Sequence, residues 1–455
     1  MILVELILAA ALASGRLSIA LMVFVAAAGL AFAFAYPMAT AVLTLALGAS
    51  IFHDQWFAFT VGPLDANGAE LLLLSLFIVA LIRPRRGTWG GVAGAGLAVF
   101  LGLLGVSTGL AVSAGDVELL GSFAWGRVFA FYVFFYIVVR LFGDRESITR
   151  LLGWAAVLAA LTGFTALFIS VASGPASFLQ DPAQQFIRDE EGLGVIQRVR
   201  LPGLALAYGL FWYAVVRATQ THGTWRLLWG AALAGMFVNI AVSFNRNMWV
   251  GLSLGLLAMV LLSGPQVRRR LIGTIAAVGI AIALVATQGG SDSRLEPLVE
   301  RGASLGDPES LQAESSLQSR EIETEVAWDV ARDNPIVGIG PGVDFGVSFF
   351  EVTAGGVWAR VSQLFLHNQY LYLMLIAGLP ALLAFMAFLL ASLRCAWSWR
   401  TRTPETAAWG VGLASIMLSS IVAIYFSASE MIFAICLLTA AIYVVRSEPE
   451  EAEAR

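Results

Sequence analysis

Lysine is missing from the 455-residue chain, and all 27 basic side chains are arginine. Genomic base composition accounts for this bias first, and a preference for the planar guanidinium fork in diphosphate binding second. Only two cysteines occur, Cys395 and Cys436, each in or beside an apolar run. That excludes a disulfide framework and gives no sign of a metal site. Charge is scarce as well: charged residues make up 13% of the chain, against roughly 25% in an ordinary soluble domain. With 59% hydrophobic residues and a mean hydropathy of +0.81, a soluble globular protein is excluded. The N-terminus has no basic region ahead of its apolar run, so it reads as a retained helix rather than a cleaved signal peptide. No internal repeat suggests the inverted symmetry of many secondary transporters. The net charge of −4 says little about partners, because charges in a membrane protein act loop by loop, and no nucleic acid partner is expected.

Apolar runs of about 17 to 25 residues recur along almost the whole length, each enough to cross a bilayer. Basic residues in short loops mark the cytoplasmic side. They cluster at Arg83, at Arg140, from Arg217 to Arg226, at Arg268, from Arg394 to Arg402 and at Arg446. Neighbouring clusters are separated by apolar length for two crossings, so all of them fit on one side. This spacing predicts hairpins of Gly90–Val112 with Trp125–Val139, Leu151–Val171 with Leu201–Val216, and Leu227–Ser243 with Met248–Leu262. Leu271–Thr287 with Gln369–Leu390 and Ala407–Phe426 with Met431–Val445 complete the set. Two to four further helices fit within Met1–Ile82, so the fold class is all-α and polytopic, with about 12 and up to 14 transmembrane helices. Residues 1–287 then form an N-terminal helical part, 288–366 a large extracytoplasmic loop, 367–446 a C-terminal helical part and 447–455 an acidic cytoplasmic tail. Within the large loop, "SLQSREIETEVAWDVARDNP" reads as an amphipathic helix with Leu317, Ile322, Val326, Trp328 and Val330 near one side. Asn334–Pro335 ends it.

Arg246, in the tight outer turn "AVSFNRNMWVGL", breaks the positive-inside pattern, and a charge near membrane depth is costly without compensation. It either snorkels to outer headgroups or binds a phosphate through its fork of donors. Arg198 and Arg200, where the outer loop Ser173–Arg200 re-enters the membrane, are an interfacial pair or part of the same electropositive pocket. Arg127 is a weaker member of that set. A lipid diphosphate is the outer-leaflet anion such a pocket would take. His367, one of three histidines, stands before the apolar run "NQYLYLMLIAGLP". It either caps a helix or accepts a hydroxyl proton near neutrality. His53 and His222 have weaker claims. "NPIVGIGPGVDF" is a structural turn or a glycine turn that lets backbone approach a ligand. Asp116 and Glu118 form an acid-x-acid pair of the kind that holds a divalent ion in some membrane glycosyltransferases.

Taken in succession, three stretches resemble the O-antigen ligase and O-antigen polymerase family of bacterial membrane glycosyltransferases. They are "FNRNMWVGL", "SREIETEVAWDVARDNPIVGIGPGVDF" and "HNQYLYLMLIAGLPALL". Asparagines flank Arg246 where the family has serine and glycine, and proline replaces the last glycine of the third stretch. The likeness covers roughly Arg200 to Leu390.

The resemblance implies a C-type glycosyltransferase-like helical fold and a glycan donor on undecaprenyl diphosphate. It further implies inversion at the sugar, with no metal and no cofactor. Arg246 and either Arg200 or Arg198 would bind the donor diphosphate, His367 would orient or deprotonate the acceptor hydroxyl, and Arg320 matches an arginine of less defined role. The expected setting is the bacterial inner membrane with the site facing the periplasm, a glycan or lipid-linked acceptor, and a flippase and chain-length regulator as possible companions. An O-antigen or exopolysaccharide polymerase is the leading expectation, with a ligase acting on a lipid A core as its alternative. A lipid-linked glycan or anion transporter and a noncatalytic assembly subunit are the alternatives of other classes.

Overall fold

The computed structural model describes residues 27–49, 58–61, 64–83, 89–172, 183–188, 195–200, 203–243, 245–265, 267–273, 315–352, 358–398 and 403–453. Its principal helices begin with α1 (Pro37–Gly48), α2 (Gly68–Ile82), α3 (Gly91–Ala114), α4 (Leu119–Gly126), α5 (Val133–Leu141) and α6 (Arg145–Ala172). They continue with α7 (Leu204–Gln220), α8 (Gly223–Val242), α9 (Arg246–Leu262), α10 (Ser315–Asp333), α11 (Gln369–Trp397), α12 (Pro404–Ser419) and α13 (Ser429–Glu453).

The strands among the described residues form antiparallel hairpins in the connections. β1 (Ala58–Val61) pairs with β2 (Leu64–Asn67), β3 (Ala183–Arg188) with β4 (Val195–Arg200), and β5 (Ser348–Val352) with β6 (Trp358–Ser362). The bundle is all-α as expected, and these short segments, lacking a helical repeat, satisfy their backbone groups by pairing across a turn.

Among the described residues, five stretches are long and apolar enough to cross a membrane: Gly91–Ala114, Leu119–Leu141, Arg145–Thr165, Gln369–Trp397 and Ser429–Arg446. The second joins α4 and α5 through a 3-10 segment, Arg127–Tyr132. α1, α2 and α9 are shorter apolar helices. Leu271–Thr287 lies largely outside the described residues. The predicted run Ala407–Phe426 ends as helix at Ser419, because the next residues turn their polar groups toward neighbouring helices.

Local chemistry sets several starts. Asn67 accepts from the Glu70 amide at 2.9 Å while the Glu70 carboxylate accepts from the Asn67 amide at 3.0 Å, a capping box that begins α2. Thr403 and Thr406 do the same for α12, with Pro404 at its first position.

α13 is the axis of the bundle. It packs against α5, α7, α11 and α12, and every residue from Ile432 to Ala441 is fully buried. A helix apolar all round belongs in the interior rather than against lipid. Beside it, Phe100, Tyr132, Phe385, Phe388 and Phe426 interlock in tilted and edge-on pairs, and the Tyr132 hydroxyl donates to the Phe426 carbonyl at 3.0 Å.

Several of the basic clusters are tied to residues beside other basic clusters. Arg140, buried over the Trp89 ring, donates to the Ala80 carbonyl near Arg83. Arg217 pairs with Glu405 at 3.9 Å, and Arg446 donates to the Cys395 sulfur at 2.7 Å. The opposite ends of α2 and α4 carry a different pair, Arg127 with Glu70 at 3.7 Å. Arg127 thus has a structural partner of its own.

Helix α11 is broken at Gly378, whose φ of 82° and ψ of 168° lie outside helical space. The break leaves carbonyls without partners inside the helix, and the glycine-rich turn after α10 supplies them. Ile339 N–H donates to Leu375 O at 2.8 Å and Gly340 N–H to Ile376 O at 3.1 Å, while Leu379 N–H donates back to Pro335 O at 2.7 Å. The Ser107 hydroxyl of α3 also donates to Ile376 O, at 2.6 Å. A β-carbon at Gly378 would overlap the Ile336 carbonyl, and one at Gly338 would overlap the backbone of Ile376 and Ala377. "NPIVGIGPGV" is therefore the clasp that fixes α10 to α11.

Candidate functional site

His367 sits just before α11, behind the N-cap Asn368, whose side chain accepts from the Leu371 amide. Across from it is Glu323, in the middle of α10 and only 4% exposed. One carboxylate oxygen of Glu323 accepts the His367 backbone N–H at 2.6 Å, and the other meets the imidazole Nδ1 at 2.8 Å. The ring also meets Phe365 edge-on, with 31% of its side chain still accessible. A buried carboxylate is tolerable only when its oxygens are hydrogen-bonded, and both oxygens here are.

The burial pattern of α10 differs from the predicted one. Ile322 and Trp328 face outward, 61% and 52% exposed, whereas Glu323, Ala327 and Ala331 form the buried stripe. Val326 and Val330 are half-buried, and the side chain of Leu317 lies outside the described residues. The glycine clasp brings α10 so close to α11 that small residues face inward, and the buried carboxylate on that face is held by His367. Glu323 escapes sequence reasoning because it sits among four acidic residues in "REIETEVAWD". Its signal is the four-residue spacing Glu323, Ala327, Ala331, with a carboxylate in line with two small residues.

Arg246 is the first residue of α9 and is half-buried. A guanidinium added to the positive end of a helix makes that corner electropositive and favourable to an anion. Its neighbour Asn247 donates from Nδ2 to the Tyr425 hydroxyl at 3.0 Å, and the Asn247 carbonyl accepts from Ser419 Oγ at 3.2 Å. Ser419 in turn hydrogen-bonds the Tyr208 hydroxyl at 2.8 Å, tying the start of α9 to α7 and to the end of α12.

Ser420 links this corner to the histidine, its carbonyl accepting the Gln369 backbone N–H at 3.0 Å. Gln369 is fully buried; its Nε2 donates to Leu366 O at 2.6 Å and its Oε1 accepts from both the amide and the hydroxyl of Ser427. Two hydrogen bonds, Ser419 Oγ to Asn247 O and Gln369 N–H to Ser420 O, thus tie the segment that follows Arg246 to the segment that follows His367 by way of the end of α12. Replacing Gln369 by leucine strands the Leu366 carbonyl and the Ser427 amide in the interior and should cost about 1 to 3 kcal/mol. A thermal unfolding midpoint equal to that of the native chain would contradict this role.

The other candidates are placed as follows. Arg320 lies on α10 one turn before Glu323 and is half-buried. Arg198 and Arg200 are on β4, paired with Gln185 and Ala183, and β4 contacts α8, the helix leading to Arg246; their side chains lie outside the described residues. Asp116 is in the turn between α3 and α4, with Glu118 at the N-cap of α4. His222 is the N-cap residue of α8 at the basic end, and His53 lies outside the described residues. Two depressions of about 630 and 580 Å³ lie elsewhere, around Arg145–Arg150 and between α3 and α5.

The fold and site define a polytopic helical membrane protein in which a carboxylate holds the histidine that stands before α11 and an arginine opens α9. Residues 231–386 match the model of the family described as O-antigen ligase. The match contains Arg246, Arg320, Glu323 and His367, while Arg198 and Arg200 precede it. With it come, in general form, an O-antigen ligase/polymerase-type function on lipid-linked glycan substrates and a place in a bacterial inner membrane. No curated protein matches the chain.

Proposed function

We propose that this chain is an inverting membrane glycosyltransferase that takes a glycan from an undecaprenyl-diphosphate donor on the periplasmic side and extends a second lipid-linked glycan with it. In this reading about 12 helices cross the membrane and residues 288–366 form the outer loop that completes the site. The observation that carries the proposal is the Glu323–His367 pair within the matched stretch, joined through Gln369 and Ser420 to the corner of Arg246.

The chemistry balances on these groups without a metal ion. The acceptor hydroxyl gives its proton to the His367 imidazole as its oxygen bonds to the anomeric carbon of the donor sugar, on the face opposite the diphosphate. The bond from that carbon to the diphosphate breaks, and its electron pair leaves on the diphosphate oxygen. Arg246, with Arg200 or Arg198, meets the charge that grows there. Fixed guanidinium groups in a partly dry site stabilise such a leaving group without reorganising at the moment of reaction. In the same reading Arg320, one turn before Glu323 on α10, binds the glycan or the diphosphate.

The purified chain, given lipid-diphosphate-linked oligosaccharide and no energy source, should produce lengthened glycans and free lipid diphosphate. Transport of the unchanged donor across a vesicle membrane without new glycosidic bonds would overturn the enzymatic reading and favour a carrier. Products formed only when a lipid A core is supplied would move the assignment from polymerase to ligase.

A further inference from the structure

We propose that Glu323 is the positioning residue of the site, holding His367 in the tautomer with hydrogen on Nδ1 and so presenting Nε2 as the bare nitrogen that accepts the proton. This deepens the reading above and rests on it.

The geometry carries the argument. An ionised carboxylate only accepts hydrogen bonds. At 2.8 Å from Glu323 Oε2, the Nδ1 of a neutral His367 ring therefore has to carry the hydrogen, and the lone pair is left on Nε2. The second oxygen removes the remaining freedom: Oε1 accepts the backbone N–H of the same residue at 2.6 Å, so one carboxylate grips His367 by main chain and side chain together. The ring is then fixed in rotation as well as in protonation.

The supports behind Glu323 fit this task. The side chain is 5% exposed, so water does not compete for its oxygens. α10 is locked to α11 by the bonds from Ile339 and Gly340 to Leu375 and Ile376 and by the return bond from Leu379 to Pro335. The glycine turn thereby places Glu323 from outside the bundle. It also gives the outer helix a role in the chemistry: if α10 moves away, the ring is released from both contacts at once.

The discriminating substitution is Glu323→Gln. With its carbonyl in place of Oε1, glutamine still accepts the backbone N–H, and its NH2 in place of Oε2 faces Nδ1. An amide nitrogen donates rather than accepts, so both hydrogen bonds survive while the ring tautomer reverses and Nε2 becomes protonated. Folding should persist, and kcat should fall about 100-fold or more with KM little changed, as removal of general-base function does. In 15N-histidine spectra of the native protein, simplified by there being only three histidines, His367 should show a protonated Nδ1 and a bare Nε2; in the variant the two should exchange. Glu323→Asp restores an acceptor-only group and should turn over faster than the glutamine variant.

Three results would overturn the proposal. They are a native His367 protonated on Nε2, a glutamine variant with native kcat while His367→Ala is inactive, or an aspartate variant no faster than the glutamine one. A fully active His367→Ala would instead overturn the proton-accepting reading itself, so the two failures are distinguishable. The native spectrum decides the tautomer even where a variant does not fold.

Discussion

Arg246→Ala should yield a protein that is made, inserted and unfolded by heat much as the native chain is, yet transfers glycan about 100- to 1000-fold more slowly. The size follows from removing one preorganised donor aimed at developing negative charge. The selectivity follows from the architecture: the start of α9 is held by its neighbour Asn247, through Tyr425 and Ser419, so the helix keeps its anchor when the arginine is truncated. Lysine at the same position keeps the charge but loses the planar fork and should recover only part of the rate. Initial rates with lipid-diphosphate donor, measured beside thermal unfolding in detergent, check both halves. Native turnover in the alanine variant would remove Arg246 from the leaving-group site.

Gly378→Ala should act in the opposite manner, damaging the fold first. A backbone with φ of 82° and ψ of 168° belongs to a region essentially reserved for glycine, and an added methyl runs into the Ile336 carbonyl. Strain and overlap together should cost about 3 kcal/mol or more, a large share of the stability of most proteins. The loss should be read as reduced abundance in the membrane and a lower unfolding midpoint. Activity should fall with it, because the clasp places α10 and hence Glu323 against His367. A variant with native stability would contradict the clasp.

Most of the bundle was legible in the sequence because lipid leaves few options: a long apolar run must be helical to satisfy its backbone, and arginine clusters fix which ends lie together. The predicted Gly90–Val112 corresponds to α3, Leu227–Ser243 to α8, and Met248–Leu262 to α9. The pairings of Arg140 with Ala80, Arg217 with Glu405 and Arg446 with Cys395 join clusters expected at one end.

The elements between α9 and α11 are less legible. The periodicity of "SREIETEVAWDVARD" marks a helix, but hydrophobicity points to the wrong inward face, because that rule fails where two helices approach closely. Small residues and one satisfied carboxylate then face in, while Trp328 and Ile322 face out. In the same way, Gly378 reads as an ordinary residue of an apolar run; only the docked turn reveals that α11 breaks there. His367 and Arg246 stood out by rarity and placement. Glu323 did not, because a carboxylate among carboxylates carries no local signal, and its role comes from a histidine 44 residues away.

The central claim is that the polar corner and the arginine-rich end lie on opposite sides of the membrane, with the corner outside. It is tested most directly by cysteine labelling in intact cells, with Cys395 and Cys436 replaced by alanine. Asp333, exposed at the end of α10, and Glu146, exposed at the start of α6, are each changed to cysteine in turn. An impermeant maleimide should modify the first in whole cells and the second only after the membrane is opened. Labelling of the Glu146 position with protection of the Asp333 position would put the histidine and arginine in the cytosol and contradict the account.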